Sequence, residues 1–187
     1  MTRPSRTAVF IDGANLYATT KLLGFDVDFK KLHNVYEGEG LVRIGYYTAT
    51  FEDGEYASIR PLIDWLDYNG FDVVTKPAKE YHDNQGRRKV KGNLDVELTV
   101  DALELAPHID RFVLYSGDGD FVHLLRALKR RGVRVTVVST VQSQPPMCAD
   151  ELRRQADEFI DLAKLVEKIG RDEKERPPRR SREGAPS

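Results

Sequence analysis

The sequence predicts an α/β fold in which a mostly parallel sheet is covered on both faces by helices. Three observations carry this. Short β-branched, apolar segments alternate with segments whose apolar residues recur at helical spacing. The strand segments are apolar on both sides, as in a sheet buried on both faces. The length, 187 residues, is that of one domain, and a chain of this size buries about 70% of its unfolded surface without a staple. In order, Thr7-Ala-Val-Phe-Ile11 is the first strand, ended by the turn residues Asp12-Gly13. A helix follows through Leu16, Thr20 and Leu23 and stops at Gly24. Leu41 to Thr50 is the second strand, Tyr56 to Tyr68 a helix with Ile59, Leu62, Ile63 and Leu66 on one side, and Phe71 to Thr75 the third strand. Trp65 falls among these apolar residues and is expected in the core.

Lys79 to Gly92 breaks the alternation: polar, basic and carrying turn residues at Asp83-Asn-Gln-Gly86, it reads as a hairpin or mobile loop. A helix from about Leu94 to Leu105 is closed by Pro107, Arg111 to Tyr115 is the fourth strand, Phe121 to Lys129 a helix and Val133 to Val138 the fifth strand. After Pro145-Pro146 one amphipathic helix is expected from about residue 149 to 169, with Leu152, Phe159, Ile160 and Leu165 on its apolar side. The domain is therefore residues 1–169 with a core at 7–140, and the charged, proline-containing segment 170–187 is expected to be a disordered tail.

Composition excludes several classes. No apolar run approaches the ~18 residues of a membrane span, and Ala8 to Ile11 is far shorter than a signal h-region of roughly 7–15 residues. Cys148 is the only cysteine, so an intrachain disulfide and a Cys-based zinc site are both excluded, and a cytoplasmic location with no membrane partner is expected. With 29 basic and 30 acidic residues the net charge is −1, so only the distribution of charge informs on partners.

In an open parallel sheet, ligands sit beyond the carboxyl ends of the strands, where the strand order reverses. The segments there are Asp12-Gly-Ala-Asn15 after the first strand and Ser116-Gly-Asp-Gly-Asp120 after the fourth, with Asp95 at the start of a helix. Taken singly, each acid fits a turn or a helix cap. If the first and fourth strands are neighbours, Asp12 and Asp118 converge, with Asp120 a further candidate, and anions that close need a cation. Oxygen ligands without a His or Cys cluster favour Mg²⁺ or Mn²⁺. Asp101 lies off the Asp95 face and is read as structural.

Val9-Phe-Ile-Asp-Gly-Ala-Asn-Leu16, Lys91-Gly-Asn-Leu-Asp95 with Asp101, and Tyr115-Ser-Gly-Asp-Gly-Asp-Phe121 together resemble the signatures of the NYN domain family in its LabA-like branch, within the PIN-like nuclease superfamily. The resemblance runs in order from about Thr7 to Leu165. It implies a three-layer α/β/α sandwich with a central five-stranded sheet in the order 3-2-1-4-5, and a metal-dependent endoribonuclease acting in RNA processing or turnover. Matched by motif, Asp12 is the first metal-binding aspartate, Asn15 a supporting amide, Asp95 the helix-borne acid and Asp118 the acid after the fourth strand; Asp120 belongs to the branch's Ser-Gly-Asp-x-Asp-Phe signature, as metal ligand or supporting acid. The implied chemistry is metal-assisted hydrolysis of a phosphodiester, with no need of a ribose 2′-hydroxyl.

RNA, the expected partner, needs cationic and stacking groups. Lys76, Lys79, Arg87, Arg88, Lys89 and Lys91 with Tyr81 and His82 form one such strip, and Ser116 is counted with the nucleic-acid contacts. A second basic group, Arg126, Lys129, Arg130, Arg131 and Arg134, reads as a solvated face near a helix C-terminus. His123 reads as a packing residue. A homodimer and a protein partner on the last helix or tail are left open. Among rivals, a haloacid-dehalogenase-like phosphatase needs a second acid two residues after its aspartate nucleophile, and here that position is Ala14. Gly117-Asp-Gly-Asp lacks the third glycine of a dinucleotide fingerprint, and Ser116 lacks the Gly-x-Ser-x-Gly elbow of a serine hydrolase. A non-catalytic RNA-binding or regulatory module of the same fold is the reading from a different class.

Overall fold

A computed structural model of the chain describes residues 3–51 and 55–172. Its core is one six-stranded sheet made of β1 (Thr7–Asp12), β2 (Leu41–Thr50), β3 (Asp72–Pro77), β6 (Arg111–Tyr115), β7 (Arg134–Ser139) and β8 (Glu158–Asp161). The order is β3-β2-β1-β6-β7-β8, and every pairing is parallel. Between β3 and β6 stands a separate antiparallel hairpin, β4 (Lys79–His82) and β5 (Arg88–Lys91). With the hairpin set aside, the predicted order 3-2-1-4-5 is the observed one, extended by a sixth strand at the edge.

The helices form two layers. Against one face pack α1 (Gly13–Leu23), α2 (Phe29–Glu37), α3 (Glu55–Tyr68) and the short α7 (Val166–Ile169), around Val9, Ile11, Leu32, Tyr36, Leu66 and Tyr115. Against the other pack α4 (Asp95–Leu105), α5 (Val122–Arg130) and α6 (Asp150–Gln155), around Phe10, Leu98, Phe112, Leu125, Leu128 and Leu152. The central strand is the most enclosed element: Ala8, Val9, Phe10 and Ile11 are each 0% exposed. Side chains alternate between faces along a strand, so its residues serve both layers in turn, at roughly 1.5–3 kcal/mol for each large apolar side chain buried.

Three sequence expectations need correction. The single helix over 149–169 is instead α6, the strand β8, a 3-10 turn at Leu162–Leu165 and α7. Glu158–Asp161 pairs with β7, sending Phe159 into one apolar layer and Ile160 into the other, a period of two that an isolated helical-spacing count misses. Second, α2 was not anticipated, although Asp28 caps it by accepting from the amides of Lys30 and Lys31, and Leu32 and Tyr36 fall four apart on its buried side. Third, Trp65 remains 37% exposed at an edge of the core beside Phe71, and His123 is exposed on α5, not packed.

Gly170 and Arg171, counted with the tail on composition, are tied to the fold: Gly170 bridges Val27 and the Arg171 amide donates to the Asp26 carbonyl. The remainder of the expected tail, 173–187, lies outside the described residues. No helix among the described residues is long and apolar enough to cross a membrane.

Candidate metal centre

The parallel register explains how the distant acids meet. Asp12, the last residue of β1, is aligned with Tyr47 of β2, and Ile11 is aligned with Tyr115 of β6, so Ser116 leaves β6 beside Asp12. This is the point where strand order reverses, β2 having been laid to one side of β1 and β6 to the other. Both loops then turn into helices, and α4 delivers Asp95 from across the cleft. Carboxylate oxygens of Asp12, Asp95 and Asp118 all lie within 4.8 Å of one another.

The capping reading of the acids is realised as well. The Asn15 amide donates to Asp12 Oδ1 at 3.3 Å, opening α1, and the Asp120 amide donates to Asp118 Oδ1 at 2.9 Å, opening the 3-10 turn at Gly119–Phe121. A cap uses one carboxylate oxygen and leaves the other, so capping and ion binding coexist. Asp95 differs: it starts α4, and its carboxylate makes no hydrogen bond or ion pair among the described residues.

Two residues hold the loops at a fixed separation. Ser116 Oγ donates to Asp12 Oδ2 at 2.9 Å and accepts from the Asp118 amide at 3.2 Å, so one hydroxyl ties together the two acids. Asn15 Oδ1 accepts from the Gly117 amide at 3.1 Å, linking α1 to the second loop. Ser116, which the sequence places among the nucleic-acid contacts, is 1% exposed and has its hydroxyl turned onto the two acidic loops. Asp120 is exposed on the rim, outside the three-oxygen group, though its charge acts on Asp95.

The three carboxylates make the pocket anionic. At a separation of 4.8 Å or less and an effective dielectric of about 20, each pair of carboxylates costs roughly 3 kcal/mol or more. No Lys, Arg or His forms an ion pair with any of the three among the described residues. Burial, and then the Asp118, Asp12, Asp120 and Glu97 charges, push the Asp95 carboxyl from 3.8 to about 6. Burial also raises Asp12, with the Ser116 and Asn15 hydrogen bonds opposing and Asp118 adding. Oxygen donors alone, in a cleft of about 260 Å³ with open access, fit a hard divalent cation such as Mg²⁺ or Mn²⁺.

The cleft has walls that residue patterns did not flag. Tyr47 lines it and donates from Oη to Asp101 Oδ2 at 2.8 Å, which gives Asp101 a structural task. Met147 closes another side, carried by the loop after β7. That loop is pressed onto the second acidic turn: the Ala149 amide donates to the Gly117 carbonyl, and a Cβ on Gly117 would run into the Met147 carbonyl. Only register and loop packing reveal these walls, since Pro145-Pro146 marks no more than a break in periodicity.

Of the basic strip, Lys79, Tyr81, Arg87, Arg88, Lys89 and Lys91 all stand exposed on the hairpin, whereas Lys76 is withdrawn from it by an ion pair with Glu97 at 2.8 Å. The second Glu97 oxygen is buried with no partner.

With this architecture and this cluster, the chain belongs to the NYN domain family, whose model matches residues 6–163. NYN domains belong to the PIN-like nuclease superfamily. The low amplitude and bright protein LabA of Synechococcus elongatus is 34% identical over 180 residues, 94% of this chain and 93% of LabA. An uncharacterized protein of Methanocaldococcus jannaschii is 29% identical over 169 residues, 87% of this chain but 61% of that longer protein. Among solved structures, a Vibrio parahaemolyticus protein of unknown function superposes with a TM-score of 0.69 at 28% identity, covering 87% of this chain and 96% of its own.

Proposed function

We propose that the protein is a divalent-metal-dependent ribonuclease that cuts phosphodiester bonds of single-stranded RNA endonucleolytically in a reducing cytoplasm. The observation that carries this is the convergence of Asp12, Asp95 and Asp118 within 4.8 Å, with no ion pair to any of them among the described residues. These three would hold Mg²⁺ or Mn²⁺, which when bound supplies positive charge for the phosphate and a more acidic water. Family membership supports the same class of chemistry.

The chain's own residues then have distinct tasks. Ser116 and Asn15 keep the two acidic loops in place before substrate arrives, so little reorganisation is required at the moment of reaction. Asp95 carries a carboxylate with no hydrogen-bond donor to hold it, and its position across the cleft suits it to orient or deprotonate the attacking water. Asp120 acts from the rim on the field of the cleft, so its loss should cost less than that of the inner three. Met147 and Tyr47 narrow the space around the acids.

The test is to incubate the purified chain with labelled single-stranded and structured RNAs in Mg²⁺, Mn²⁺ or chelator. Asp12→Asn and Asp118→Asn should each cut at least about 100-fold more slowly, as expected when metal-borne charge stabilisation is removed. Folded Asp→Asn variants that cleave at the wild-type rate would overturn the reading.

A further inference from the structure

The hairpin β4–β5 is a two-stranded ribbon on which every strand residue is exposed. Such hairpins are marginal in isolation. This one is held by polar links. Asp83 Oδ1 accepts from the Gln85 and Arg87 amides, Gly86 takes a φ of 73° in the turn, and at the base the Ala78 amide donates to the Thr50 carbonyl at 2.7 Å. Its register sorts the side chains, because directly opposed residues share a face. Lys79 opposes Lys91 and Tyr81 opposes Lys89, so one face carries three lysines around an exposed ring. Glu80 opposes Val90 and His82 opposes Arg88, so the other face carries the acid, which pairs with Arg88.

That distribution is unfavourable for the hairpin by itself. Between residues 79 and 92 there are five basic and two acidic residues. One acid lies on the Arg88 face, and the other sits in the turn, bonded to Arg87 at 3.2 Å and 3.9 Å from Lys89. Lys79 and Lys91, directly opposed, have no acidic partner among the described residues. Like charges facing each other across a ladder cost stability, and a solvated loop has no need to segregate them on one side. The ribbon also leads to the chemistry: Lys91 is followed by Gly92 and Asn93, which line the acidic cleft, and then by Asp95.

Resting on the ribonuclease reading, we infer that the Lys79–Tyr81–Lys89–Lys91 face of the hairpin is the substrate-binding ribbon. It holds single-stranded RNA by phosphate contacts from the lysines and by stacking of one unpaired base on Tyr81, and guides the strand into the cleft. Arg87 and Arg88, engaged by acids of the hairpin, are not the principal contacts. The single strand is favoured because the Tyr81 ring, 49% exposed, stacks on a base whose face is open, as along an unpaired strand and not inside a duplex.

The test measures binding of the full chain to a fluorescein-labelled single-stranded RNA and its duplex by anisotropy, in chelator, across a salt series. The combined variant Lys79→Gln, Lys89→Gln, Lys91→Gln should flatten the slope of log affinity against log salt by about 2, from roughly 0.7 per phosphate contact on a single strand. A control, Arg126→Gln, Arg130→Gln, Arg134→Gln, removes the same charge from exposed positions of the second basic group and should change the slope by less than about 1. Tyr81→Ala should weaken single-strand binding about tenfold and leave the duplex unaffected, with Tyr81→Phe close to wild type. All the substituted side chains are exposed, so melting curves should match wild type. An unchanged slope, an equal loss in the control, a duplex bound as tightly as the single strand, or no RNA binding at all would overturn the inference. RNA bound through this face but never cut in Mg²⁺ or Mn²⁺ would remove the nuclease reading and leave the ribbon standing, and cleavage with binding untouched by the lysine variant would do the reverse.

Discussion

At Asp95 the function of the cleft and the stability of the fold pull in opposite directions. Its carboxyl is raised from 3.8 to about 6 by burial and by neighbouring acids, so the metal-free folded chain binds that proton more tightly than the unfolded chain does. This contribution to stability is complete below about pH 4 and is lost as the pH rises to about 6. Asp95→Asn should therefore stabilise the metal-free chain at pH 7 by about 1–2 kcal/mol, read as a higher melting temperature, while abolishing cleavage; a melting-temperature difference from the variant that does not change between pH 4 and 7 would contradict the repulsion. Ser116 shows the converse dependence. Ser116→Ala leaves Asp12 Oδ2 and the Asp118 amide without their shared partner, and a loss of about 1–3 kcal/mol in chemical denaturation is expected, together with weaker metal binding by calorimetry.

Among the elements, the strand misread as helix has the widest consequences for the site. Asp161, at the end of β8, is buried and accepts from Thr140 Oγ1 at 2.8 Å and from the amides of Val141 and Ala163, so the edge strand anchors the loop whose Met147 walls the cleft. Asp161→Ala should cost about 2–4 kcal/mol, since hydrogen bonds to a charged group are lost and buried donors are stranded, and should raise KM as the Met147 wall loosens. Gly117→Ala should be worse, because its Cβ has no space against the Met147 carbonyl and Ser139; a soluble variant with wild-type melting would show that the loop yields freely. Helical spacing at Leu152, Phe159, Ile160 and Leu165 misleads because only Phe159 and Ile160 lie in the strand, too few residues to display a period of two, and it is pairing with β7 that sends them to opposite faces. The central strands β1, β2, β6 and β7 lie where the sequence places them, because each concentrates β-branched or aromatic residues in a short stretch that carries no helical spacing.

For the molecule as a whole, ion binding and folding are linked. Binding to the folded chain alone adds stability by mass action, so Mg²⁺ or Mn²⁺ at a hundred times Kd should add about 2.7 kcal/mol at pH 7. The gain should shrink towards pH 4, where the proton competes for Asp95, and chelator should reverse it; no shift at millimolar ion would contradict the metal centre. The sequence alone determined the succession of buried strands and covering helices, the class of fold, and which carboxylates stand at strand ends, because burial and local turn chemistry are written in the spacing of side chains along the chain. It also marked the hairpin as basic. The tertiary structure decided what depends on which strands are neighbours: that Asp12 and Asp118 share one serine hydroxyl while Asp120 is left at the rim, that Met147 and Tyr47 wall the cleft, and that the hairpin lysines gather on one face. Those relations are set by strand register and, for the cleft, by parallel crossovers that bring distant parts of the chain together, and spacing along a sequence carries no record of distance across a sheet.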